Sequence, residues 1–369
     1  MSNRREFLKA GALGGVLAAT GLPGGAFAKA LAASTQPLDI LVLGGTGFIG
    51  PHMVREALRR GHSVTLFNRG RTNNELFPDL ETITGDRDNG LDGLKGRTWD
   101  AVIDNSGYVP RHVEDSARLL APNVGFYLFI STVAVYDDFT VLNAEDAPLA
   151  TLADETIEEV TGETYGALKA LCERRVAAEI TADKLSIVRP TYICGPGDHT
   201  DRFTYYPVRT KQGGEMLWPG SPDHEMQIID VRDLANFVID SVQQGIDGTY
   251  NAVTPVGAYT FRDLLADSQA VTDTTVEAVW ADDAFIAAQD ARSLFPIYFP
   301  KTGEDAARFG FSGERARAAG LHNRPPRETV RDLMAWWKTL PEERIANARF
   351  RMTPEKEAEL IAAWRARKA

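Results

Sequence analysis

The sequence predicts an α/β fold in which a doubly wound parallel sheet carries a smaller C-terminal substrate lobe. Three observations predict it. Short apolar strands alternate with helix-length segments over roughly the first two hundred residues, a pattern typical of a parallel sheet. A glycine-rich turn, Gly44–Gly50, directly follows the first strand. The 369 residues, of which 44% are hydrophobic and 25% charged, suffice for a main domain and a second lobe.

The turn after the first strand is the most specific motif in the chain. The segment Leu38–Leu43 has the composition of a buried parallel strand, and a helix pattern covers residues 48–60. Glycine recurs at every third position of the turn: Gly44, Gly47 and Gly50. Such glycines allow a tight turn, a close approach of the backbone to a pyrophosphate, and the packing of helix on strand. The arrangement predicts a Rossmann domain with a dinucleotide at the helix N-terminus. The other contacts expected from this turn are Thr46, Phe48 and Ile49.

The second strand, Ser63–Phe67, decides which dinucleotide we expect. An NAD enzyme usually places an acidic residue after this strand, where it binds the ribose 2′-hydroxyl. Here the strand is followed by Asn68, Arg69, Gly70 and Arg71, and the two arginines can pair with a 2′-phosphate. We therefore expect tightly bound NADP, with NAD as the second choice. The alternative is that both arginines are solvated loop residues.

Later strand ends supply the rest of the predicted cofactor site. The segment Glu81–Thr84 leads to Asp86, which we expect to accept a hydrogen bond from the adenine amino group. The strand Asp100–Asp104 leads to a small-residue loop for the diphosphate and ribose: Asn105, Ser106 and Gly107. The last expected cofactor contacts end two further strands: Ser131 (strand 126–131) and Pro190 (strand 186–190). All these residues lie at or just after the carboxyl ends of strands, where ligands bind in such sheets.

A threonine, a tyrosine and a lysine form the predicted catalytic group. Thr132 follows a strand, and Tyr165 and Lys169 are four residues apart, on one face of the next helix. A phenol has a pKa of about 10, and a nearby ammonium should lower that pKa and favour the phenolate. The same lysine can hold the nicotinamide ribose. Thr132 should hydrogen-bond the substrate oxygen and position it for proton transfer.

Six motifs occur in order along the chain: Gly44–Gly50, Ser131–Tyr136, Tyr165–Lys169, Arg189-Pro190, Gly195–Asp198 and Ile229–Leu234. With them the chain resembles the extended short-chain dehydrogenase/reductase superfamily, in its epimerase/dehydratase branch, over about residues 38–340. The resemblance implies that Thr132 is the active-site hydroxyl, Tyr165 the acid/base and Lys169 its partner, with Ser131 as the less favoured hydroxyl. The stretch Phe67–Arg71 looks like an atypical subgroup that includes chloroplast stem-loop-binding relatives, and this strengthens the NADP expectation.

Residues 191–340 are predicted to form the substrate lobe, with strands that return to the sheet of the Rossmann domain, residues 38–190. The segment 197–227 is rich in aromatic and charged side chains, a combination typical of sugar sites. The substrate contacts we expect are Tyr192, His199, Arg202 and Trp218. We expect no metal site, because the spacing of His199, His224 and the nearby acids is irregular.

The C-terminal part offers fewer signals. The helix Arg331–Leu340 carries two tryptophans that we assign to core or interface, Trp336 and Trp337. Residues 341–369 are predicted to be a helical tail, of which Thr353–Lys368 is a solvated charged helix. The two cysteines, Cys172 and Cys194, are expected to be small buried residues. A bridge between them is the alternative in an oxidising compartment.

The N-terminus resembles a Tat signal peptide. Arg4 and Arg5 precede a glycine-rich, weakly apolar stretch, and small residues offer cleavage near Ala28 or Ala33. Residues 1–28 are therefore predicted to be a Tat signal that directs the protein to the periplasm. The Tat export machinery is the expected partner, and because it carries folded proteins, the cofactor should be bound before export.

The formal net charge of -11 and the scatter of lysine and arginine predict no nucleic-acid partner, because phosphate binding needs a clustered basic surface. The leading prediction is an exported NAD(P)-dependent epimerase/dehydratase-type enzyme that transiently removes a hydride from a sugar, glycoside or related polyol. One alternative is an NADP-dependent reductase or dehydrogenase whose cofactor is recycled by a second substrate. Another is a non-catalytic RNA- or ligand-binding member of the same fold. The oligomeric state stays open, with a homodimer as one possibility.

Overall fold

Seven parallel strands form the central sheet of the protein. The structure is a computed structural model that describes residues 36–368, so the leader predicted over residues 1–28 lies outside the described residues. The described residues form eleven strands in all, seven of them in this sheet: β1 (Asp39–Leu43), β2 (Ser63–Asn68), β3 (Thr82–Thr84), β4 (Trp99–Asp104), β5 (Val124–Ile130), β6 (Leu185–Pro190), β7 (Tyr192–Cys194), β8 (Gly214–Pro219), β9 (Ile228–Asp230), β10 (Gly248–Ala252) and β11 (Val276–Ala281). The central sheet has the order β10-β6-β5-β4-β1-β2-β3, and each neighbouring pair is parallel. The predicted parallel α/β sheet is confirmed.

Helices cover both faces of this sheet. The helices of residues 36–368 are α1 (Gly50–Arg59), α2 (Pro110–Leu120), α3 (Tyr165–Glu179), α4 (Tyr205–Lys211), α5 (Val231–Gln244), α6 (Phe261–Thr272), α7 (Asp283–Ala288), α8 (Glu314–Ala318), α9 (Pro326–Trp337), α10 (Glu342–Ala346) and α11 (Pro354–Lys368). In β1, Ile40 and Val42 belong to the core with α1 and α5. Leu41, between them, belongs to the opposite core with α2 and α3. Side chains alternate along a strand, so one apolar run serves two layers and the sheet is doubly wound.

The register of the strands brings the predicted loops together. Leu43, the last residue of β1, lies opposite Phe67 of β2 and Asp104 of β4. The loops after these three strands therefore start at the same edge of the sheet. This edge is the carboxyl end of the strands, where parallel sheets bind their ligands.

A second core lies beside the sheet, in the part of the chain predicted as the substrate lobe. It contains Trp218 of β8, Phe261 of α6 and Val330 of α9, all fully buried. The lobe does not follow the chain strictly, because β10 returns to the central sheet and pairs with β6. Strands that return to the Rossmann sheet were expected from this region.

The C-terminal helix differs from the prediction of a solvated charged helix. In α11, Leu360, Ile361 and Trp364 are buried in the core of the lobe. Glu357 of the same helix accepts a hydrogen bond of 3.0 Å from the backbone N–H of Leu217 in β8, and pairs with Arg209 at 2.7 Å. The many charged residues of this segment made its buried apolar face hard to recognise in the sequence. The prediction of a solvated helix was wrong.

Two further predictions, for Trp337 and for the cysteines, can be compared with the structure. Trp337 is buried and stacks on Phe350 with ring centroids 5.9 Å apart, as expected for a core residue. Cys172 and Cys194 are both buried and free, so the alternative of a bridge is excluded in this structure. Within residues 36–368, no helix combines the length and apolar character needed to cross a membrane.

Candidate active site

The glycine-rich turn has the geometry that a dinucleotide requires. Gly44 has a φ of +91°, and a Cβ there would lie 2.7 Å from the Cβ of Ser106. A Cβ on Gly50 would lie 2.6 Å from the carbonyl oxygen of Gly44, so this glycine lets α1 start directly against the turn. At Gly47 an added Cβ would meet nothing within 4 Å. Gly47 lines the adjoining cleft, and the space that a side chain would fill there is open to a phosphate.

A cleft of about 620 Å³ lies at the sheet edge next to this turn. Most of the predicted cofactor contacts line it: Gly44, Thr46, Gly47, Phe48, Ile49, Asn68, Arg69, Arg71, Asp86, Asn105, Ser106 and Tyr165. Gly50 and Gly107 do not line the cleft; Gly50 begins α1 behind the turn, and the carbonyl of Gly107 accepts a hydrogen bond from Lys169. Ser131, Pro190 and Lys169 line a neighbouring cavity instead.

Two of the predicted cofactor contacts have a buried polar atom that lacks a partner within the described part of the chain. These atoms are Oδ1 of Asn105 and Oγ of Ser131. Nearly all buried polar groups in proteins are hydrogen-bonded. Both residues were predicted cofactor contacts, so these two acceptors, together with the open space at Gly47, fit a bound dinucleotide.

The residues after β2 lie where the adenosine ribose would bind. Arg69 and Arg71 are exposed and line the cleft, and neither forms an ion pair within residues 36–368. Asn68 accepts a hydrogen bond of 2.8 Å from the N–H of Gly70, which shapes this loop. Asp86, after β3, lines the same cleft. The arginine positions agree with a 2′-phosphate contact, and the choice between NADP and NAD stays a prediction.

The three predicted catalytic residues share one cavity of about 290 Å³, which adjoins the cleft. Thr132, Tyr165 and Lys169 all line it, and Tyr165 lines the cleft as well. Burial raises the pKa of Tyr165 to about 12, and its hydrogen bond with Thr132 acts in the opposite direction. Thr132 also caps the short turn after β5, because its hydroxyl accepts from the N–H of Ala134 at 3.1 Å. The phenol of Tyr165 is therefore protonated at neutral pH and can donate a hydrogen bond.

Lys169 is placed differently from the prediction. Its Nζ donates to the carbonyl oxygens of Gly107 at 2.6 Å and Ile130 at 2.8 Å, which tie the ends of β4 and β5 together. Burial lowers the pKa of Lys169 to about 8. The expected lowering of the Tyr165 pKa is absent here, because the ammonium is engaged by the two carbonyls and burial dominates the phenol.

A buried network supports the catalytic helix. Arg189 of β6 pairs with Glu173 of α3 at 2.6 Å and donates to the hydroxyl of Tyr136 at 3.1 Å. That hydroxyl donates to Oδ1 of Asn251 in β10 at 2.7 Å. Both partners of the ion pair are about 5% exposed or less. The network fixes α3, and with it Tyr165 and Lys169, against the sheet.

Of the four predicted substrate contacts, three lie at the site and one does not. Tyr192 and Arg202 line the catalytic cavity, and His199 and Arg202 line the cofactor cleft. Trp218 is fully buried and stacks on Tyr206 with centroids 4.9 Å apart. Its assignment to the substrate was wrong. The aromatic composition of this segment reflects the core of the lobe, in which β8 is an internal strand.

Sequence reasoning missed several residues of the site. Tyr108 lines both the cleft and the cavity, and its position just after the loop 105–107 was a usable signal. Arg308, Phe139 and Phe311 complete the cavity wall. They come from distant segments, and no local motif marks them. Among the described residues, no group of three or more His, Cys, Asp or Glu side chains could hold a metal ion.

The profile of the NAD-dependent epimerase/dehydratase family matches residues 40–252, which is more than half of the chain. The chain therefore belongs to this family. The matched range contains the glycine-rich turn, β10 and every residue that lines the cleft or the cavity except Arg308 and Phe311.

Curated relatives cover only part of this chain. It is 27% identical over 212 residues to the chloroplast stem-loop binding protein of 41 kDa b of Arabidopsis thaliana, covering 53% of each chain. It is 28% identical over 230 residues to 2-alkyl-3-oxoalkanoate reductase of Stenotrophomonas maltophilia, covering 54% of this chain and 64% of the reductase. The chain thus spans between about half and two thirds of the length of these relatives.

Solved structures share the fold. The Bordetella bronchiseptica enzyme WbmG, in complex with NAD and UDP, is 16% identical with a TM-score of 0.59, over 82% of this chain and 94% of WbmG. A human epimerase family protein with NADPH is 20% identical with a TM-score of 0.56, over 82% of this chain and 100% of that protein. At such identities the likeness concerns the fold alone, and it agrees with an NAD(P)-binding fold.

Proposed function

We propose that the protein is an exported, NAD(P)-dependent epimerase/dehydratase-type enzyme that acts on a sugar, glycoside or related polyol. The observation that carries the proposal is the shared position of Tyr165. This residue lines both the cofactor cleft and the cavity that holds Thr132 and Lys169. A substrate in the cavity would therefore contact the acid/base residue and lie beside the cofactor at once.

Each side chain of the site has its own role in such a reaction. A bound nicotinamide cofactor supplies a reversible acceptor for hydride. Thr132 hydrogen-bonds the substrate hydroxyl and orients it toward the phenol of Tyr165, which exchanges the proton of that hydroxyl. Lys169 brings a positive charge to the same cavity, which favours the phenolate whenever the ammonium faces the phenol. Acid/base groups of this kind contribute about 10²–10⁴-fold in rate.

The predicted leader supports a redox-neutral reaction. An exported enzyme meets no expected supply of free nicotinamide nucleotide. Epimerisation and dehydration are redox-neutral overall, so an enzyme that performs them needs no resupply. Nucleotide sugars are cytoplasmic, and the same reasoning favours a free sugar, a glycoside or another polyol as the substrate.

The test is a turnover assay on the cofactor-loaded full chain. Sugars and polyols deuterated at single carbons are incubated without added cofactor, and products are followed by NMR. We expect isomerised or dehydrated product in which the label returns to the same centre or migrates within the molecule. The Tyr165→Phe variant should keep the fold and bind the cofactor while turnover falls about 10²–10⁴-fold. Wild-type rates in Tyr165→Phe would remove the catalytic assignment.

Two other functions are favoured by the names of relatives. The similarity to 2-alkyl-3-oxoalkanoate reductase favours a reductase or dehydrogenase that recycles its cofactor with a second substrate. In that case the assay gives product only with a stoichiometric supply of cofactor. The similarity to the chloroplast stem-loop binding protein favours RNA binding. Filter binding of a stem-loop RNA, with affinity that falls steeply as salt rises, would support that function.

A further inference from the structure

The catalytic cavity has an unusual charge. Its wall contains three charged side chains, Lys169, Arg202 and Arg308, and not one aspartate or glutamate. The chain as a whole has a net charge of -11. A cationic cavity in an acidic protein points to an anionic ligand, because complementary potentials are what such sites use to select their partners.

Arg202 has no carboxylate partner within ion-pair distance among residues 36–368. Its guanidinium lies over the ring of Tyr192 at 4.8 Å from the centroid, and its Nε donates to the hydroxyl of Thr200 at 3.1 Å. These contacts leave the remaining N–H donors of the guanidinium unused. Because Arg202 lines both the cavity and the cleft, those donors lie where substrate and cofactor would meet.

Arg308 is held by aromatic rings rather than by a carboxylate of its own. Its guanidinium lies 3.7 Å from the ring centroid of Phe139 and 5.0 Å from that of Phe299. The carboxylate of Asp305 is 3.5 Å away, but it bonds Arg292 more closely, at 2.6 Å. Burial lowers the pKa of Arg308 from its ordinary value. The charge of this arginine is thus partly desolvated and only weakly compensated.

We propose that the substrate is an acidic carbohydrate, whose carboxylate or phosphate group is bound by Arg202 and Arg308 while its reacting hydroxyl lies against Thr132 and Tyr165. This inference rests on the proposed function and names the substrate class of that site. Arginine binds carboxylate and phosphate through paired N–H donors in one plane. The aromatic rings hold the guanidinium planes in place, so the anion fixes which carbon of the substrate faces the tyrosine.

The size of the cavity fits a small ligand. Its volume of about 290 Å³ lies at the lower end of the range for small-molecule sites. The acidic group and the reacting carbon therefore belong to one compact molecule, with few bonds between them.

Binding to the full chain loaded with oxidised dinucleotide tests the proposal. Calorimetry compares three matched sets: hexoses and polyols, the corresponding uronic and aldonic acids, and the corresponding 6-phosphates. We expect at least one acidic member to bind about tenfold or more tightly than its neutral counterpart. Comparison of the acid and phosphate sets identifies which anion the site takes.

The variants Arg202→Gln and Arg308→Gln should each weaken that binding about tenfold or more. The affinity of Arg308→Lys for the acidic ligand should fall less than that of Arg308→Gln, because lysine keeps the positive charge. The matched control is Arg262→Gln, which removes an arginine paired with Asp223 on the surface and should change binding less than about twofold. Unchanged binding in both glutamine variants would overturn the proposal, as would equal affinity for acidic and neutral members. So would the lack of binding of any acidic member at about 10 mM.

Failure of the inference and failure of the proposed function give different results. Turnover of neutral sugars only would keep the proposed function and overturn the acidic substrate. Arginine-dependent binding of an acidic member, without turnover of any compound in the panel, would keep the anion site and contradict the proposed chemistry.

Discussion

At the scale of single residues, we propose that cofactor choice depends on the two arginines after β2. Arg69 and Arg71 line the cofactor cleft, are exposed and form no ion pair within residues 36–368. Arginines without an internal partner at this position are available to a ligand phosphate. The choice of NADP over NAD stays a prediction, and solved structures of the same fold contain NAD or NADPH.

The first prediction concerns this discrimination. Arg69→Ala should weaken NADP binding by roughly 1.5–3 kcal/mol, the contribution of a hydrogen bond to a charged group, and should leave NAD binding nearly unchanged. Dissociation constants for both nucleotides, measured by calorimetry, check this. Arg262→Ala is the control, because it lies on α6, outside the residues that line the cleft. Equal losses for NADP and NAD would contradict the phosphate contact.

His224 gives the second prediction at this scale. Its ring is buried, stacks on Phe261 with centroids 5.0 Å apart, and burial lowers its pKa to about 4. Between pH 6.5 and 4 the unfolded chain therefore binds more protons at this group than the folded chain does. The free energy of unfolding should be highest above about pH 6.5 and fall as pH drops toward 4, by up to about 3 kcal/mol from this residue.

Urea denaturation at a series of pH values measures the slope. His224→Phe keeps the ring stacking and removes the titration, so its stability should depend less on pH between 6.5 and 4 than that of the wild type. His322→Phe, a change at an exposed histidine, should keep the wild-type slope. The same slope in His224→Phe as in the wild type would show that this histidine does not titrate as proposed.

At the scale of elements, the C-terminal tail holds the loop that carries Arg202. Asp201 precedes that arginine, has a φ of +57°, and is almost fully buried. Its carboxylate pairs with Arg344 of α10 at 2.5 Å and accepts from the N–H of Arg349 at 2.9 Å. The tail thereby fixes the loop at the edge of the cofactor cleft and the catalytic cavity.

Asp201→Asn should lower the free energy of unfolding by about 2 kcal/mol, because the half-buried guanidinium of Arg344 loses its buried carboxylate partner. Asparagine tolerates the left-handed backbone, so the loss reports the charge rather than strain. Urea denaturation measures the change. Asp146→Asn is the control, since Asp146 pairs with Arg315 while 83% exposed, and it should cost less than about 0.5 kcal/mol. Equal stability of the two variants would contradict the role of the tail.

Elements were predictable from the sequence where a short pattern decides them. The apolar run of β1 and the spacing of Gly44, Gly47 and Gly50 predicted the strand and the turn, because each depends only on neighbouring residues. Arg308 was not predictable. It reaches the cavity of Thr132 through the packing of distant segments, which no local pattern encodes. The prediction that Trp218 contacts the substrate was wrong for a related reason, because sugar sites and protein cores are both rich in aromatic residues.

At the scale of the whole molecule, the cofactor cleft is closed from two sides. The glycine-rich turn and the loops after β2, β3 and β4 form one wall. The loop that follows β7 forms the other, with His199 and Arg202. This loop is attached to α1, because Nε2 of His52 donates to the carbonyl of Pro196 at 2.8 Å, and to the turn, because His199 packs edge-to-face on Phe48 at 6.0 Å. We therefore expect the release of a bound dinucleotide to require that these contacts break.

Affinity differences between related complexes appear mostly in the off-rate, so this closure predicts slow release of the cofactor. The proposed export requires this property, because an exported enzyme would have to keep its cofactor over many turnovers. We expect the full chain to retain a near-stoichiometric dinucleotide through dialysis, identified by mass spectrometry after denaturation, and to turn over without added cofactor. His52→Ala removes the attachment of the loop to α1 and should lose the dinucleotide during the same dialysis while keeping its fold. Wild-type protein that purifies empty, and works only when NADP or NAD is supplied in stoichiometric amounts, would contradict retention and favour the plain reductase.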